Sequence, residues 1–423
     1  MNQTMNKPLR LCLAAAVAAL PWAAFAQTAP PAEPVTAASD PEADQGRPFR
    51  IGNIFLRPSL TVRWGYDDNI TQAPGTASQP KLASGTWIYT PGLTGDIEYK
   101  GDRYSLDYQG NITQYTDSAQ DNMANHSLFV RGNNTLTTRN AVRWEAGLQD
   151  AYDPRGSTEW EQSSGLDSSE PSHYRTYRYG GTYSYGAPGA KGRIELEAFQ
   201  TDKTYLNNRA VTTTADVGTT DLAGRFYWRM MPKTSAVFEV GQTTSDYTAS
   251  NALLDSHGTQ WRVGVDWNAT AATSGSLRVG QTNRSFDDPL RASFRGLGWQ
   301  ANVNWKPWTY SVFDFTTARD VTDTANDQAA VVGSYIVSTS YAASWRHDWL
   351  SYLHSQVKWS YQEMDYEGID RSDQNQSLML GAYYDFRRWI NLGFEVTQST
   401  RRSSMENMDY DRWQTMAVLQ AKF

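Results

Sequence analysis

The feature that most constrains this chain is an alternation of period two that runs through residues 54–423 with helical signals essentially absent. It is clearest at residues 260–268, where Trp261, Val263, Val265 and Trp267 alternate with Gln260, Arg262, Asp266 and Asn268. Successive side chains of a strand point to opposite faces, so this segment has one apolar face and one charged face. The same division sets Leu222, Gly224, Phe226, Trp228 and Met230 against Asp221, Arg225 and Arg229. It sets Ile390, Leu392, Phe394 and Val396 against Asn391 and Glu395, and Val142, Trp144, Ala146 and Leu148 against Arg143 and Glu145.

Such strands fit a soluble sheet or a membrane barrel, and composition with connection lengths separates the two. Only 39% of residues are hydrophobic and the mean hydropathy is −0.61. A transmembrane barrel tolerates that balance, because every second strand residue faces a polar interior. After residue 26 no apolar run approaches the roughly 20 residues a helix needs to cross a bilayer, which excludes α-helical membrane topology. The 16 Trp and 24 Tyr are the residues that populate interfacial girdles. An Arg on the lipid face costs about 2–4 kcal/mol at the bilayer midplane, so Arg262 and Asp266 are expected to point inward.

Extended along the chain, this pattern gives an all-β fold, a closed antiparallel transmembrane barrel of about 18 strands. Its strands begin near residues 54, 85, 102, 125, 140, 173, 191, 219, 233, 257, 274, 293, 308, 333, 352, 374, 389 and 408. Short turns are expected at Lys100-Gly101-Asp102, Thr138-Arg139-Asn140, Ala187-Pro188-Gly189-Ala190, Met231-Pro232, Ala272-Thr273-Ser274-Gly275, Lys306-Pro307, His347-Asp348-Trp349 and Arg387-Arg388. Between them fall longer polar segments near 67–84, 116–124, 153–172, 205–218, 248–256, 286–292, 320–332, 365–373 and 400–407. Short periplasmic turns alternating with longer extracellular loops are the mark of an outer-membrane barrel with both termini in the periplasm. A barrel of this size encloses an aqueous lumen.

The ends of the chain agree. Lys7 and Arg10, the apolar run at residues 11–20 and Ala24-Phe25-Ala26 have the three parts of a cleaved secretory signal, expected at residues 1–26. Residues 27–50 are rich in Pro, Ala and acids, and read as a flexible periplasmic lead-in to the barrel at 51–423. The one cysteine, Cys12, lies inside the signal, so the mature chain has no disulfide and no cysteine-built metal site. At the other end Phe423, Ala421, Leu419, Ala417, Thr415 and Trp413 share one face of the last strand, and the terminal aromatic Phe423 resembles the signal by which such barrels are recognised for assembly.

The first strand and its exit, Leu56-Arg57-Pro58-Ser59-Leu60-Thr61-Val62-Arg63-Trp64-Gly65-Tyr66-Asp67-Asp68-Asn69-Ile70, resemble the opening of the outer-membrane β-barrel porin family associated with exopolysaccharide secretion. The resemblance implies a cell-outer-membrane pore that exports a polysaccharide together with periplasmic and inner-membrane export components. It brings no catalytic motif, and the chain is not expected to be an enzyme or to carry a cofactor. Asp67, Asp68 and Asn69 lack the spacing and terminal Glu of a calcium loop, so capping at the extracellular rim is their expected role and no metal site is assigned. The net charge of −7, with no clustered basic face, speaks against nucleic acid as a partner.

The lumen is expected to be lined by Arg63, Asp96, Asp107, Arg143, Glu145, Glu197, Arg225, Tyr227, Arg229, Arg262, Asp266, Trp359, Tyr383 and Glu395, with Arg295 also inward. Mixed charge of this kind either ties the wall together by cross-strand pairs or offers weak contacts to a passing solute. Two other functions fit the same barrel: a general or substrate-specific diffusion porin, with 153–172 as its candidate inward-folded constriction loop, and a barrel-anchored surface receptor.

Overall fold

A computed structural model describes residues 49–164, 169–187, 189–249, 253–270, 272–324 and 333–423. The expected signal, most of the lead-in and most of the 320–332 loop lie outside the described residues. The strands are β1 (Phe49–Ile51), β2 (Ile54–Asp67), β3 (Ser84–Tyr99), β4 (Asp102–Tyr115), β5 (Met123–Thr135), β6 (Asn140–Asp153) and β7 (Ser172–Tyr185). There follow β8 (Gly192–Tyr205), β9 (Val217–Met231), β10 (Thr234–Tyr247), β11 (Ser256–Thr270), β12 (Thr273–Phe286) and β13 (Phe294–Trp308). The last are β14 (Ser311–Asp323), β15 (Tyr335–Leu350), β16 (Leu353–Glu367), β17 (Arg371–Arg387), β18 (Ile390–Ser403) and β19 (Tyr410–Lys422).

From β2 to β19 each strand pairs antiparallel with the next, and β19 returns to pair with β2, from Gln414 opposite Asp67 to Lys422 opposite Ser59. The result is a closed 18-strand barrel, and closure pairs the edges that lipid cannot hydrogen-bond. At the seam Gly65 has a physical reason: a Cβ there would lie 1.8 Å from the carbonyl oxygen of Thr415. No strand start differs from its expected position by more than three residues. The short β1 adds a hairpin onto β2, with Phe49 opposite Leu56, so ordered pairing begins just before the expected barrel limit at residue 51.

The outward face is as apolar as the alternation requires. Trp64, Leu196, Val263 and Phe394 are all more than half exposed in the isolated chain. A continuous apolar surface of this extent needs a lipid solvent.

Four connections differ from expectation, the first only slightly: of Ala272-Thr273-Ser274-Gly275, all but Ala272 already belong to β12. Lys306 and Pro307 lie inside β13, where its register with β14 slips between Trp305 and Trp308. Proline cannot donate to the ladder, and here it marks a bulge, with the chain reversal at residues 309 and 310. His347, Asp348 and Trp349 continue β15; the His347 ring sits 4.3 Å from Trp349 and edge-on to Tyr310 at 5.3 Å, within an aromatic belt, and the turn comes at residues 351 and 352. The supposed long loop at 365–373 is a tight turn of residues 368–370, with Gly368 at φ +89°.

Candidate functional site

Most of the expected lumen residues face inward and are tied to one another. Asp107 pairs with Arg131 at 2.7 Å, Arg131 with Glu145 at 2.6 Å, and Glu145 with Arg178 at 3.4 Å, which links β4 to β7. A second chain crosses β8 to β14: Glu197 to Arg225 at 2.9 Å, Arg225 to Glu239 at 2.6 Å, Glu239 to Arg262 at 3.8 Å, and Arg262 to Asp320 at 3.0 Å. Arg63 meets Glu395 at 3.0 Å, and the Tyr383 hydroxyl donates to the same carboxylate at 2.8 Å. Asp96 pairs with Arg57 and Arg103, Asp266 with Arg278, and Glu195 accepts from Arg143 and from the Tyr227 hydroxyl. Neighbouring strands therefore carry opposite charges in register. Removing one partner of a buried pair leaves the other uncompensated, a cost of about 3–5 kcal/mol.

Across this lined lumen lies the loop between β6 and β7. Gly156 (φ +76°) turns the chain against the loop between β2 and β3, where a Cβ would come 2.1 Å from the Thr71 carbonyl oxygen. Arg155 holds Asp121, in the loop between β4 and β5, through two bonds of 2.6 Å. Ser157 then caps a short helix, α1 (Thr158–Ser164), its hydroxyl accepting the Trp160 N–H, and the acids Glu159 and Glu161 fall in the first turn. Trp160 is buried and donates its indole N–H to the Glu170 carbonyl at 3.0 Å.

The first turn of α1 is latched to the opposite wall. Glu161 accepts from Arg401 at 2.5 Å and from Arg371 at 2.8 Å, and Arg401 also donates to the Thr158 hydroxyl at 3.0 Å. Arg371 is held by Asp373 and stacks on Tyr366, while Arg401 takes Asn375. All three members of the latch are buried. Beside α1, toward the wall from β8 to β16, remains a cavity of about 220 Å³ lined by Thr158, Glu159, Gln162, Lys203, Tyr205, Tyr247 and Arg284 among others. Glu159 lies there, and burial, then Asp153 nearby, pushes its carboxyl above the usual carboxylate range.

Two expected lumen residues point the other way. Trp359 stands opposite Ala343 and Leu378 and beside Tyr361, on the outward face of β16; its cross-strand partners, rather than its own residue type, decide its side. Arg295 shares the outward phase of Leu297 in β13 and stands opposite Asn283. It is near the loop-side end, where an outward charge costs little because the interface is close. Arg229 keeps the phase of Arg225 but is exposed at the end of β9 beside a short turn.

Asp67, Asp68 and Asn69 serve the seam. Asp67 is fully buried and binds Arg412, Asp68 accepts the Trp413 N–H at 2.7 Å, and the Asn69 amide caps the Ala73 and Asp411 carbonyls. Phe423 completes the same seam, its N–H bonded to the Pro58 carbonyl and its ring 5.5 Å from Trp389. Among the described residues no group of three or more His, Cys, Asp or Glu is placed to hold a metal.

Glu161, Arg371 and Arg401 were not among the expected site residues, because all three fell in segments read as external loops. A signal existed. The inward phase of β17 continues back through Asp373 to Arg371, and 153–172 carries a Ser-Thr-Glu helix start.

A closed, lipid-faced barrel with a charged lumen and a loop helix across it defines a transmembrane β-barrel channel. The chain belongs to the family described as "Putative beta-barrel porin 2", whose model matches residues 42–423. No curated protein matches it by sequence. Among solved structures, the outer membrane protein OpdK of Pseudomonas aeruginosa is 12% identical, with 87% of this chain and 99% of that chain covered at a TM-score of 0.46. OpdO of the same organism is 12% identical over 90% and 99%, at 0.47, and OccAB3 of Acinetobacter baumannii is 11% identical over 87% and 99%, at 0.43.

Proposed function

We propose that this protein is a selective diffusion channel for small solutes, with the loop between β6 and β7 as its constriction. The observation that supports this reading best is the Glu161 latch, which spans 210 and 240 residues of sequence to fix α1 across the lumen. A helix anchored through Arg155 on one side and through Thr158 and Glu161 on the other narrows the path and leaves a gap for small molecules. Export of an exopolysaccharide, the function implied by the family resemblance, stands behind it, because a polymer chain would have to displace α1 from two buried arginines. In the export reading, periplasmic and inner-membrane components would supply that opening.

The purified protein in liposomes tests the choice by osmotic swelling. Small hydroxylated solutes are expected to enter, with rates that fall steeply as solute size rises. Failure of small solutes to enter, or entry indifferent to size, would overturn the proposal.

A further inference from the structure

Near the loop end, β13 and β14 part. Their backbone ladder runs from Trp308 opposite Ser311 to Trp299 opposite Arg319 and stops there, although β13 stays paired with β12 as far as Phe294 and β14 with β15 as far as Asp323. Between residues 294–298 and 320–323, all of them described, no backbone pairing forms. The walls overlap instead. Val321, Tyr335 and Val337 share the outward phase of Phe315 and Tyr341, yet they are buried, because they pack against Phe286 and Phe294 on the inward phase of Arg284. Phe294 meets Tyr335 edge-on at 5.6 Å, and Phe286 stacks on the same ring at 6.1 Å. Asp323, in the outward phase of Val321, reaches past β13 to β12 and β11, accepting from Arg284 and from the Ser256 hydroxyl, both at 2.8 Å.

We infer that this lap is a lateral exit from the cavity beside α1 to the surrounding lipid, and that it serves a small amphiphile with a hydroxyl-rich head and one apolar tail. The exit goes beyond the channel reading and uses a different path. A backbone ladder cannot open sideways in lipid, since each freed N–H and C=O would lose its partner. A lap of side chains can, because lipid tails and apolar guests are as apolar as the contacts they replace. Lipid reaches this height: Leu297, on the outer face of the unpaired stretch, is more than half exposed. On the inner side the cavity of about 220 Å³ is lined by Asp320, Val321, Thr322 and Asp323 in succession, the stretch of β14 that β13 has left. Val321 therefore belongs to the lap and to the cavity wall at once. The wall nearby carries hydroxyls and amides, those of Thr219, Thr243, Gln362 and Thr282, and the buried Thr282 hydroxyl has no hydrogen-bond partner among the described residues. A sugar-like head suits that wall and a tail suits the lap. The volume lies below the roughly 300–1,000 Å³ of pockets for drug-sized ligands, so the head is small.

The test uses the intact barrel in phospholipid liposomes and, as probe, octyl glucoside with a diazirine at the end of its tail, at concentrations that leave the liposomes whole. Photolabelled peptides are located by mass spectrometry. In the native protein the label is expected within residues 284–298 and 319–337 and is displaced by unlabelled octyl glucoside. Cys12 is the one cysteine of the sequence and lies outside the barrel, so Phe294→Cys with Tyr335→Cys puts the only two thiols of the barrel across the lap, where dibromobimane can bridge them. Bridging should lower the lap label by about tenfold or more and leave glucose entry, read by liposome swelling, unchanged. Label confined to the outer apolar belt of the native protein, or lap label that unlabelled octyl glucoside does not displace, overturns the exit without recourse to any variant. So does lap label that survives the bridge, or glucose entry that the bridge abolishes, since the lap would then lie on the main path. Failure of glucose to enter the native protein while the lap label behaves as expected sinks the channel reading alone.

Discussion

Glu159 and Glu161 stand two residues apart on the same short helix and meet opposite surroundings. Glu161 is fixed between Arg371 and Arg401, in a buried cluster whose charges cancel once Asp373 is counted. Glu159 faces the cavity beside α1, where burial and Asp153 raise the pKa of its carboxyl while Lys203 and Arg401 act the other way. The difference teaches that two carboxylates on one short helix can take separate places: Glu161 ties α1 to the wall, and Glu159 lines the cavity beside it.

The sharpest way to break this contrast is Glu161→Gln. It removes the carboxylate that Arg371 and Arg401 both bind across the lumen, and a cost of about 3–5 kcal/mol corresponds to a roughly 100-fold or greater loss in the latched population. Swelling rates for solutes larger than monosaccharides should rise markedly, and no change in the size cut-off would mean that α1 keeps its place without the latch. Arg155→Ala is expected to act more weakly, by about 1.5–3 kcal/mol, since it loosens the near end of the loop from Asp121 and leaves the latch in place. Faster protease cleavage within residues 154–171, with an unaltered melting of the barrel, is the outcome to look for. Glu159→Gln should change folding stability least, within about 1 kcal/mol, because burial and Asp153 already favour the neutral form of Glu159. A loss as large as that of Glu161→Gln would show that the two carboxylates share a structural role.

Much of the barrel was legible in the alternation, and the limits of that legibility are physical. Arg262, Asp266, Glu395 and Arg225 were placed correctly because their neighbours Trp261, Val263, Phe394 and Phe226 are apolar enough to claim the lipid face. Trp359 was not, although its neighbour carried the signal: a lysine on the lipid face costs as much as an arginine, so Lys358 turns inward and leaves Trp359 and Tyr361 on the outer face. Pro307 was read as a turn because proline is common in turns, yet a bulge suits a residue without an N–H equally well.

By itself the sequence determined the strand period, the lipid-facing and lumen-facing phases of most strands, and the rhythm of short and long connections, since each of these follows from neighbours along the chain. Only the tertiary structure decided that the chain turns inward at α1 and which arginines receive it. Glu161 meets Arg371 and Arg401 only after closure has brought β17 and β18 around to face β6 and β7, and no local pattern encodes a contact made across an enclosed space.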